Sequence, residues 1–241
     1  MSRLGWLCNE GHRTEAADAI AAVCALPGLE VEGIYTHFAN ADGDEAYTMG
    51  QFTRFLELLS ELEGRGITFP IRHCAASAAV LKYPCTHLDM VRPGVALYGH
   101  YPDPSCEGLD GVGLRPVMAL KTRVASVKAV PAGTPVSYGC THVLERDAEL
   151  AALTVGYADG LPRLCSDRLE VLIRGQRAPI VGRVCMDMCM ADATGLGAAP
   201  GDEVELFGEH LPVEDAAALA GTIQYELLCA VSPRVPREYL N

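Results

Sequence analysis

The chain has 241 residues, of which 49% are hydrophobic, which is enough for one large domain or two ordinary ones. The formal net charge of −12 argues against general binding to nucleic acid or to anionic membrane surfaces. No apolar run approaches the ~20 residues of a membrane-spanning helix, and no secretion signal opens the chain, so we expect a cytoplasmic protein without membrane contact. The ten cysteines are predicted to be free thiols, and their spacing predicts no metal site.

The first part of the chain alternates helix and strand patterns. Helices are predicted over residues 13–26, 44–63 and 77–82. Strands are predicted over residues 29–35, 69–74 and 88–92. This order is typical of a parallel sheet or barrel, but a closed barrel needs about eight strands. With about three strands, this region is expected to be the tail of something larger.

The second part of the chain is rich in strand patterns. Strands are predicted over Val117–Val130, Leu150–Val155, Leu169–Ile173, Ile180–Met190 and Val204–Phe207, and one helical stretch near residues 213–230. The Gly- and Pro-rich segment Pro102–Pro116 is the natural linker. We therefore predict two domains, an α/β domain over residues 1–112 and an all-β domain over residues 113–241.

Chemistry-bearing residues follow the predicted α/β strands, where a barrel places its active site. His37 follows the first strand, His73 and Ser77 the second, and Arg92 and Gly94 the third. A Ser hydroxyl at a helix start and a Gly with exposed backbone N–H both suit an anionic phosphate. By local sequence alone, Ser77 could equally be only a helix cap and Gly94 only a turn residue.

Several motifs occur together in a fixed order along the whole chain. They are Met1-Ser2-Arg3-Leu4-Gly5, Thr36-His37-Phe38-Ala39, Val136-Ser137-Tyr138-Gly139, Gly156–Gly160, Arg183–Asp187 and Arg234-Val235-Pro236-Arg237. In this combination the sequence resembles the alanine racemase family. The resemblance implies the C-terminal part of an N-terminal (β/α)8 barrel, followed by a β-rich domain. It also implies pyridoxal 5'-phosphate (PLP) as cofactor, a small amino-acid substrate and a head-to-tail homodimer with shared active sites.

The resemblance assigns a role to each site residue. Tyr138 resembles the catalytic base for L-alanine, which acts in the partner's site, and His37 the residue that hydrogen-bonds to it. Arg92 resembles the arginine at the pyridine nitrogen, and His73 and Tyr157 its supports. The other implied roles are phosphate binding (Ser77, Gly94, Val95, Tyr225), substrate-carboxylate binding (Arg3, Met186) and support of the site or its entrance (Asp187, Arg163).

One expected motif is absent. The family's cofactor-binding lysine lies near the start of the barrel, whereas the lysines here are Lys82, Lys121 and Lys128, none of which matches. Ala76 also replaces the family's usual Asn before Ser77. We therefore expect an N-terminally truncated racemase sequence, with racemisation requiring the lysine. A serine racemase, which the bulky Tyr225 disfavours, and a non-catalytic fragment that retains only the dimerising domain are the alternatives.

Overall fold

The structure is a computed structural model that describes residues 3–111 and 113–240. Met1 and Ser2 of the opening motif, and Val112 at the predicted domain boundary, lie outside the described residues. The chain divides into two compact units, residues 1–115 and 116–241. Among the described residues, no helix combines the length and the apolar character that crossing a membrane requires.

The first unit is an α/β structure around a small parallel sheet. Its strands are β1 (Gly33–Tyr35), β2 (Ile71–Ala76) and β3 (Met90–Arg92), which pair in the order β1-β2-β3. Its helices are α1 (Arg13–Cys24), α2 (Glu45–Gly64) and α3 (Ser77–Lys82). This order confirms the predicted alternation, although β1 begins four residues later than expected. The parallel pairing directs the carboxyl ends of all three strands to one edge of the sheet.

Helix α2 shows why the amphipathic pattern was informative. It begins after Asp44, whose carboxylate accepts a hydrogen bond from the Tyr47 backbone N–H at 2.9 Å. Its buried face carries the apolar side chains of Phe52, Phe55, Leu58 and Leu62. Packing of this face against the sheet and α1 forms the two hydrophobic clusters of the unit.

The second unit is built on an antiparallel sheet. The sheet has six strands in the order β10-β7-β4-β11-β8-β9, and a separate hairpin pairs β5 with β6. The strands are β4 (Leu120–Val130), β5 (Pro135–Val136), β6 (His142–Val143), β7 (Ala148–Leu153), β8 (Glu170–Ile173), β9 (Gln176–Pro179), β10 (Cys189–Asp192) and β11 (Glu203–Phe207). One continuous apolar cluster lies between this sheet and helices α4 (Val213–Leu219) and α5 (Gln224–Ala230). The expected α/β region followed by a β-rich region is therefore confirmed.

Two sequence predictions in the second unit were wrong in detail, and strand β9 was not predicted. The strand predicted over Ile180–Met190 is mostly a loop, since Gly182 has a φ of 75° and donates its N–H to the Asp167 carboxylate instead of to a strand. The single helix predicted near residues 213–230 is interrupted at Gly221, whose φ of 68° ends a helix readily. Strand β9 was missed because its residues are polar and end in a proline, which only an edge strand tolerates.

Candidate active site

Arg92 is the centre of a polar cluster at the carboxyl edge of the parallel sheet. It is the last residue of β3, and its Nη2 donates hydrogen bonds to the carbonyls of Thr36 at 3.1 Å and Cys74 at 3.4 Å. The same nitrogen lies 3.1 Å from His37 Nδ1, and Nη1 contacts His73 Nδ1. Three strand ends thus converge on one guanidinium, as the parallel topology predicts.

The contacts of Arg92 determine the state of both histidines. A guanidinium can only donate, so both Nδ1 atoms accept and the ring proton of each neutral histidine resides on Nε2. Burial lowers the pKa of His37, and the charges of Arg92 and Arg3 lower it further. Burial followed by the charge of Arg92 also lowers the pKa of His73. Both rings are therefore neutral hydrogen-bond donors at Nε2 near neutral pH.

Tyr35 extends this cluster, although the sequence analysis assigned it no role. Its ring stacks on His73 with centroids 5.1 Å apart and planes at 7°. The Arg92 guanidinium carbon lies 5.3 Å from the centroid of the same ring, within the range of a cation–π contact. Tyr35 thereby restrains Arg92 and His73 from one side.

Gln51 holds the loop that carries His37, and the sequence analysis missed it. Its amide nitrogen donates to the His37 carbonyl at 2.8 Å and to Thr36 Oγ1 at 3.1 Å. Its amide oxygen accepts from the Ala39 N–H at 3.1 Å. The signal that could have revealed it is a polar residue in helical phase with the buried positions Phe55, Leu58 and Leu62.

The loops after β2 and β3 meet at Ser77. Its buried hydroxyl accepts a hydrogen bond from the Ala96 N–H at 3.3 Å. In the part of the chain that the structure describes, the hydroxyl proton has no acceptor, so it can be donated to a ligand. Gly94 is adjacent, because a Cβ atom there would lie 3.9 Å from Ser77 Oγ. Val95, the next residue, is buried and begins a short 3-10 helix. Ala76 provides no side-chain cap to α3 where the family usually has Asn.

These residues fit PLP. Within the part of the chain that the structure describes, the Nε–H of Arg92 makes no hydrogen bond, so it can donate to an unprotonated ring nitrogen. The Ser77 hydroxyl and the glycine loop beside it suit a phosphate. Arg3 is exposed, and its charge acts on both His37 and Arg92, so the predicted carboxylate-binding position lies in the field of the same cluster.

Tyr138 occupies a strained turn in the second unit. Ser137 before it has φ 63° and ψ −171°, and Cys140 after it has φ 50°, both unfavourable for residues with a side chain. Such conformations cost about 1–3 kcal/mol each and concentrate at functional sites. Ser137 Oγ donates to the Arg183 carbonyl at 2.7 Å. The phenol of Tyr138 is 72% exposed.

Met186 lies on a second loop that contacts the Gly156–Gly160 motif through backbone. The N–H groups of Tyr157 and Ala158 donate to the carbonyls of Cys185 and Met186, each at 3.0 Å. A Cβ atom on Gly156 would lie 2.3 Å from both carbonyl oxygens, so glycine is required by close approach.

Arg234 and Asp159 fasten the same two loops, a role that the sequence analysis did not give them. Arg234 donates to Asp159 at 2.7 Å and to Asp187 at 2.6 Å. Asp159 also accepts from the Gly156 N–H at 2.8 Å. Burial raises the pKa of Asp159, but the bonds from Arg234 and Gly156 outweigh it and lower that pKa overall. The sequence shows these charges of opposite sign only as parts of separate motifs, and only the fold shows that they pair.

Tyr138, Met186 and Asp187 line one cavity of about 610 Å³ together with Ser137, Cys185 and Lys128. Tyr157 lies beside it with 45% of its surface exposed. The structure does not bring Arg163 or Tyr225 into this cavity. Arg163 is an exposed residue of a 3-10 helix, and Tyr225 lies in α5, 37% exposed.

The three lysines are placed as follows. Lys82 Nζ donates to the Asp42 carbonyl at 2.6 Å, and Lys121 pairs with Glu203 at 2.7 Å. Lys128 is exposed on β4 at the cavity of the second unit. Among the described residues of the first unit, Lys82 is not a partner of Arg92.

Comparison with known proteins gives consistent matches. Residues 1–102 match the model of the alanine racemase N-terminal domain, and residues 117–239 match that of the C-terminal domain. The chain is 50% identical, over its whole length, to the alanine racemase of Desulforamulus reducens, of which it covers 65%. It is 49% identical, over 94% of its length, to that of Desulfovibrio desulfuricans, of which it covers 62%.

The solved structures agree with the sequence relatives. Alanine racemase from Bacillus anthracis with bound L-Ala-P matches all of this chain with a TM-score of 0.92 and 36% identity, over 62% of that chain. The chain thus spans somewhat less than two thirds of the length of these relatives.

Proposed function

The chain belongs to the alanine racemase family, and we propose that the whole protein interconverts L- and D-alanine with PLP. The observation that carries this proposal is the Arg92 cluster. A guanidinium surrounded by neutral acceptors, with one N–H direction open among the described residues, suits an unprotonated pyridine nitrogen. The Ser77 hydroxyl and the Gly94–Val95 loop would hold the phosphate on the same edge of the sheet.

PLP, when bound, withdraws electrons from Cα of an attached amino acid and so acidifies its α-proton. Arg92 limits this withdrawal of electrons, since a guanidinium does not readily give its proton to the ring nitrogen. His73 and Tyr35 keep Arg92 in place. The arrangement favours return of the proton to Cα over side reactions.

Tyr138 is the proposed base that takes the α-proton of L-alanine in the partner subunit's site. A tyrosine has an ordinary pKa of ~10, so its phenolate needs a hydrogen-bond donor. His37 can be that donor, because Arg92 occupies its Nδ1 and leaves the proton on Nε2. The lowered pKa of His37 keeps this ring neutral, so it supports the phenolate without surrendering a proton.

The other predicted roles stay part of the proposal. Arg3 and Met186 would bind the substrate carboxylate, with Met186 coming from the partner subunit, and Tyr225 would add a phosphate contact. Tyr157 would support Arg92. Asp187 acts through Arg234, which fastens the loop of Met186. Arg163 would serve the entrance of the site.

We further propose that this three-stranded sheet is part of a (β/α)8 barrel and that the cofactor-binding lysine lies on a segment outside these 241 residues. This is supported by the share of the relatives that the chain spans and by the positions of Lys82, Lys121 and Lys128. A homodimer with shared sites is part of the proposal. We also propose that the protein is located in the cytoplasm, and its ten free thiols support this.

The test uses two samples of the PLP-loaded native protein: one is assayed for D-alanine formation, and the other is reduced with borohydride and examined by peptide mapping. We expect D-alanine formation and a modified lysine that is none of the three in this chain. Replacement of Tyr138 by Phe should abolish the reaction while the cofactor stays bound. A native protein that binds PLP yet racemises neither alanine nor serine would support the non-catalytic alternative, and faster turnover of serine would support the serine racemase.

A further inference from the structure

We propose that Ser137 is a positioning residue that holds Tyr138 in place relative to the loop of Met186. This inference rests on the proposed function, because it assumes that Tyr138 moves the α-proton. No role for Ser137 follows from its motif, in which it is simply the residue before the tyrosine. The backbone conformation of Ser137 and one hydrogen bond of its side chain support this role.

The hydroxyl of Ser137 joins two loops. It donates to the Arg183 carbonyl at 2.7 Å and also lies 3.4 Å from Cys185 Sγ. Arg183 and Cys185 lead directly to Met186, so the bond connects the Tyr138 turn to the Met186 loop at a point close to both. The side chains of Tyr138 and Met186 line the same cavity.

The bond also explains why a residue with a side chain is tolerated here. Ser137 has φ 63°, where a Cβ atom is unfavourable. Its Cβ lies against Gly182, because a Cβ on Gly182 would come within 2.8 Å of it. An alanine at 137 would keep the strain and lose the bond, whereas a glycine would lose both.

The phenol of Tyr138 depends on this turn for its position. At 72% exposure, its ring has little packing within the unit, so the backbone directs it. The turn is further constrained by Arg183, whose guanidinium carbon would lie 3.1 Å from a Cβ on Gly139. Loosening Ser137 is therefore expected to broaden the range of positions of the phenol oxygen without unfolding the sheet.

Displacing the phenol affects one proton transfer. In the L-to-D direction a proton passes from Cα of L-alanine to Tyr138 Oη, and a different base returns a proton on the opposite face. Since the equilibrium between the enantiomers is independent of the enzyme, rates in both directions fall together. The kinetic isotope effect differs, because only the slowed transfer becomes more rate-limiting.

The experiment compares Ser137→Ala and Ser137→Gly in the complete PLP enzyme, with Ser126→Ala at an exposed position of β4 as the matched control. Isotope effects are measured with α-deuterated L- and D-alanine, alongside the unfolding midpoint and amide hydrogen exchange over residues 136–142. Both Ser137 variants should lose ~10-fold in kcat, with a larger isotope effect from L-alanine and a smaller one from D-alanine. Exchange in the turn should speed up.

The glycine variant separates positioning from stability. It removes the strain together with the bond, so its unfolding midpoint should stay close to that of the wild type while its isotope effects still change. If the wild-type enzyme is active and both Ser137 variants show the same isotope effects as the wild type, the role of Ser137 is overturned and the proposed function is not. An inactive wild-type enzyme would overturn the proposed function and this inference with it.

Discussion

The two units arrange their candidate site residues in opposite ways. In the first unit, side chains hold side chains: Arg92 bonds to His37 and His73, and Tyr35 stacks on His73. In the second unit, backbone contacts hold most of the arrangement, and the Ser137 hydroxyl and the ion pairs of Arg234 with Asp159 and Asp187 add side-chain bonds. The loops that carry Tyr138 and Met186 are fastened by carbonyl contacts, left-handed turns and glycines in close approach, while the side chains of these two residues are exposed.

The difference has a physical meaning. A cluster of side chains that bond to one another has its protonation and geometry determined within its own unit, so the first unit is prepared to receive a cofactor. In the second unit the backbone of the turn is fixed, while the side chain it carries is exposed to solvent. This arrangement suits a side chain that acts on a site outside its own unit. Substitutions should therefore damage the second unit through its backbone and the first through its polar side chains.

The largest effect should come from Gly156→Ala. The new methyl group would lie 2.3 Å from the carbonyl oxygens of Cys185 and Met186, and backbone cannot move aside cheaply. We expect a loss of about 3 kcal/mol in the free energy of unfolding, measured by urea denaturation.

Gly64→Ala is the matched control, because a Cβ there would meet nothing within 4 Å and the residue ends helix α2. It should stabilise the protein by about 0.5–1 kcal/mol. Equal effects of the two substitutions would show that close backbone approach does not hold the loops of the second unit.

An intermediate effect is expected for Gln51→Met in the first unit. The substitution keeps the size of the side chain but leaves the Ala39 N–H and the His37 carbonyl without their partner. Such groups cost about 2 kcal/mol in unfolding free energy. Gln176→Met on exposed β9 is the control and should change stability by less than about 0.5 kcal/mol. If the Gln51 variant is as stable as this control, the Gln51 side chain does not stabilise the loop that carries His37.

The smallest effect concerns the pKa of His37. Arg92→Leu removes the charge that, after burial, lowers this pKa, so the pKa should rise toward 6.5 but stay below it. Arg92→Lys should keep it low. NMR titration of the imidazole, assigned with His37→Asn, measures both.

The lowered pKa of His37 also makes the folded protein less stable as the pH falls. A histidine with a lowered folded-state pKa favours the neutral form, so its contribution is present above the unfolded pKa of ~6.5 and is lost as the pH falls through the folded value. Arg92→Leu should therefore weaken the acid sensitivity of unfolding. An unchanged His37 pKa in this variant would mean that the charge of Arg92 does not contribute to lowering it.

Local sequence patterns predicted the elements whose signal is local. Helix α2 follows from its apolar spacing and α3 from its start at Ser77, and both occur within a residue or so of the predicted bounds. The prediction of a strand over Ile180–Met190 was wrong because Gly182 bonds to Asp167, and a contact between segments separated in sequence is not visible in a local pattern. The helix near residues 213–230 failed for a local reason, since Gly221 was not given enough weight as a terminator.

By itself, the sequence determined the alternation of helices and strands in the first unit, the strand-rich character of the second unit and the family, and it proposed which residues carry chemistry. It did so because periodicity and motifs are properties of neighbouring positions. Only the tertiary structure decided the partners: Gln51 with His37, Ser137 with Arg183, and Arg234 with Asp159 and Asp187. These bonds join positions between 14 and 75 residues apart, and only the folded chain brings their atoms within hydrogen-bonding distance.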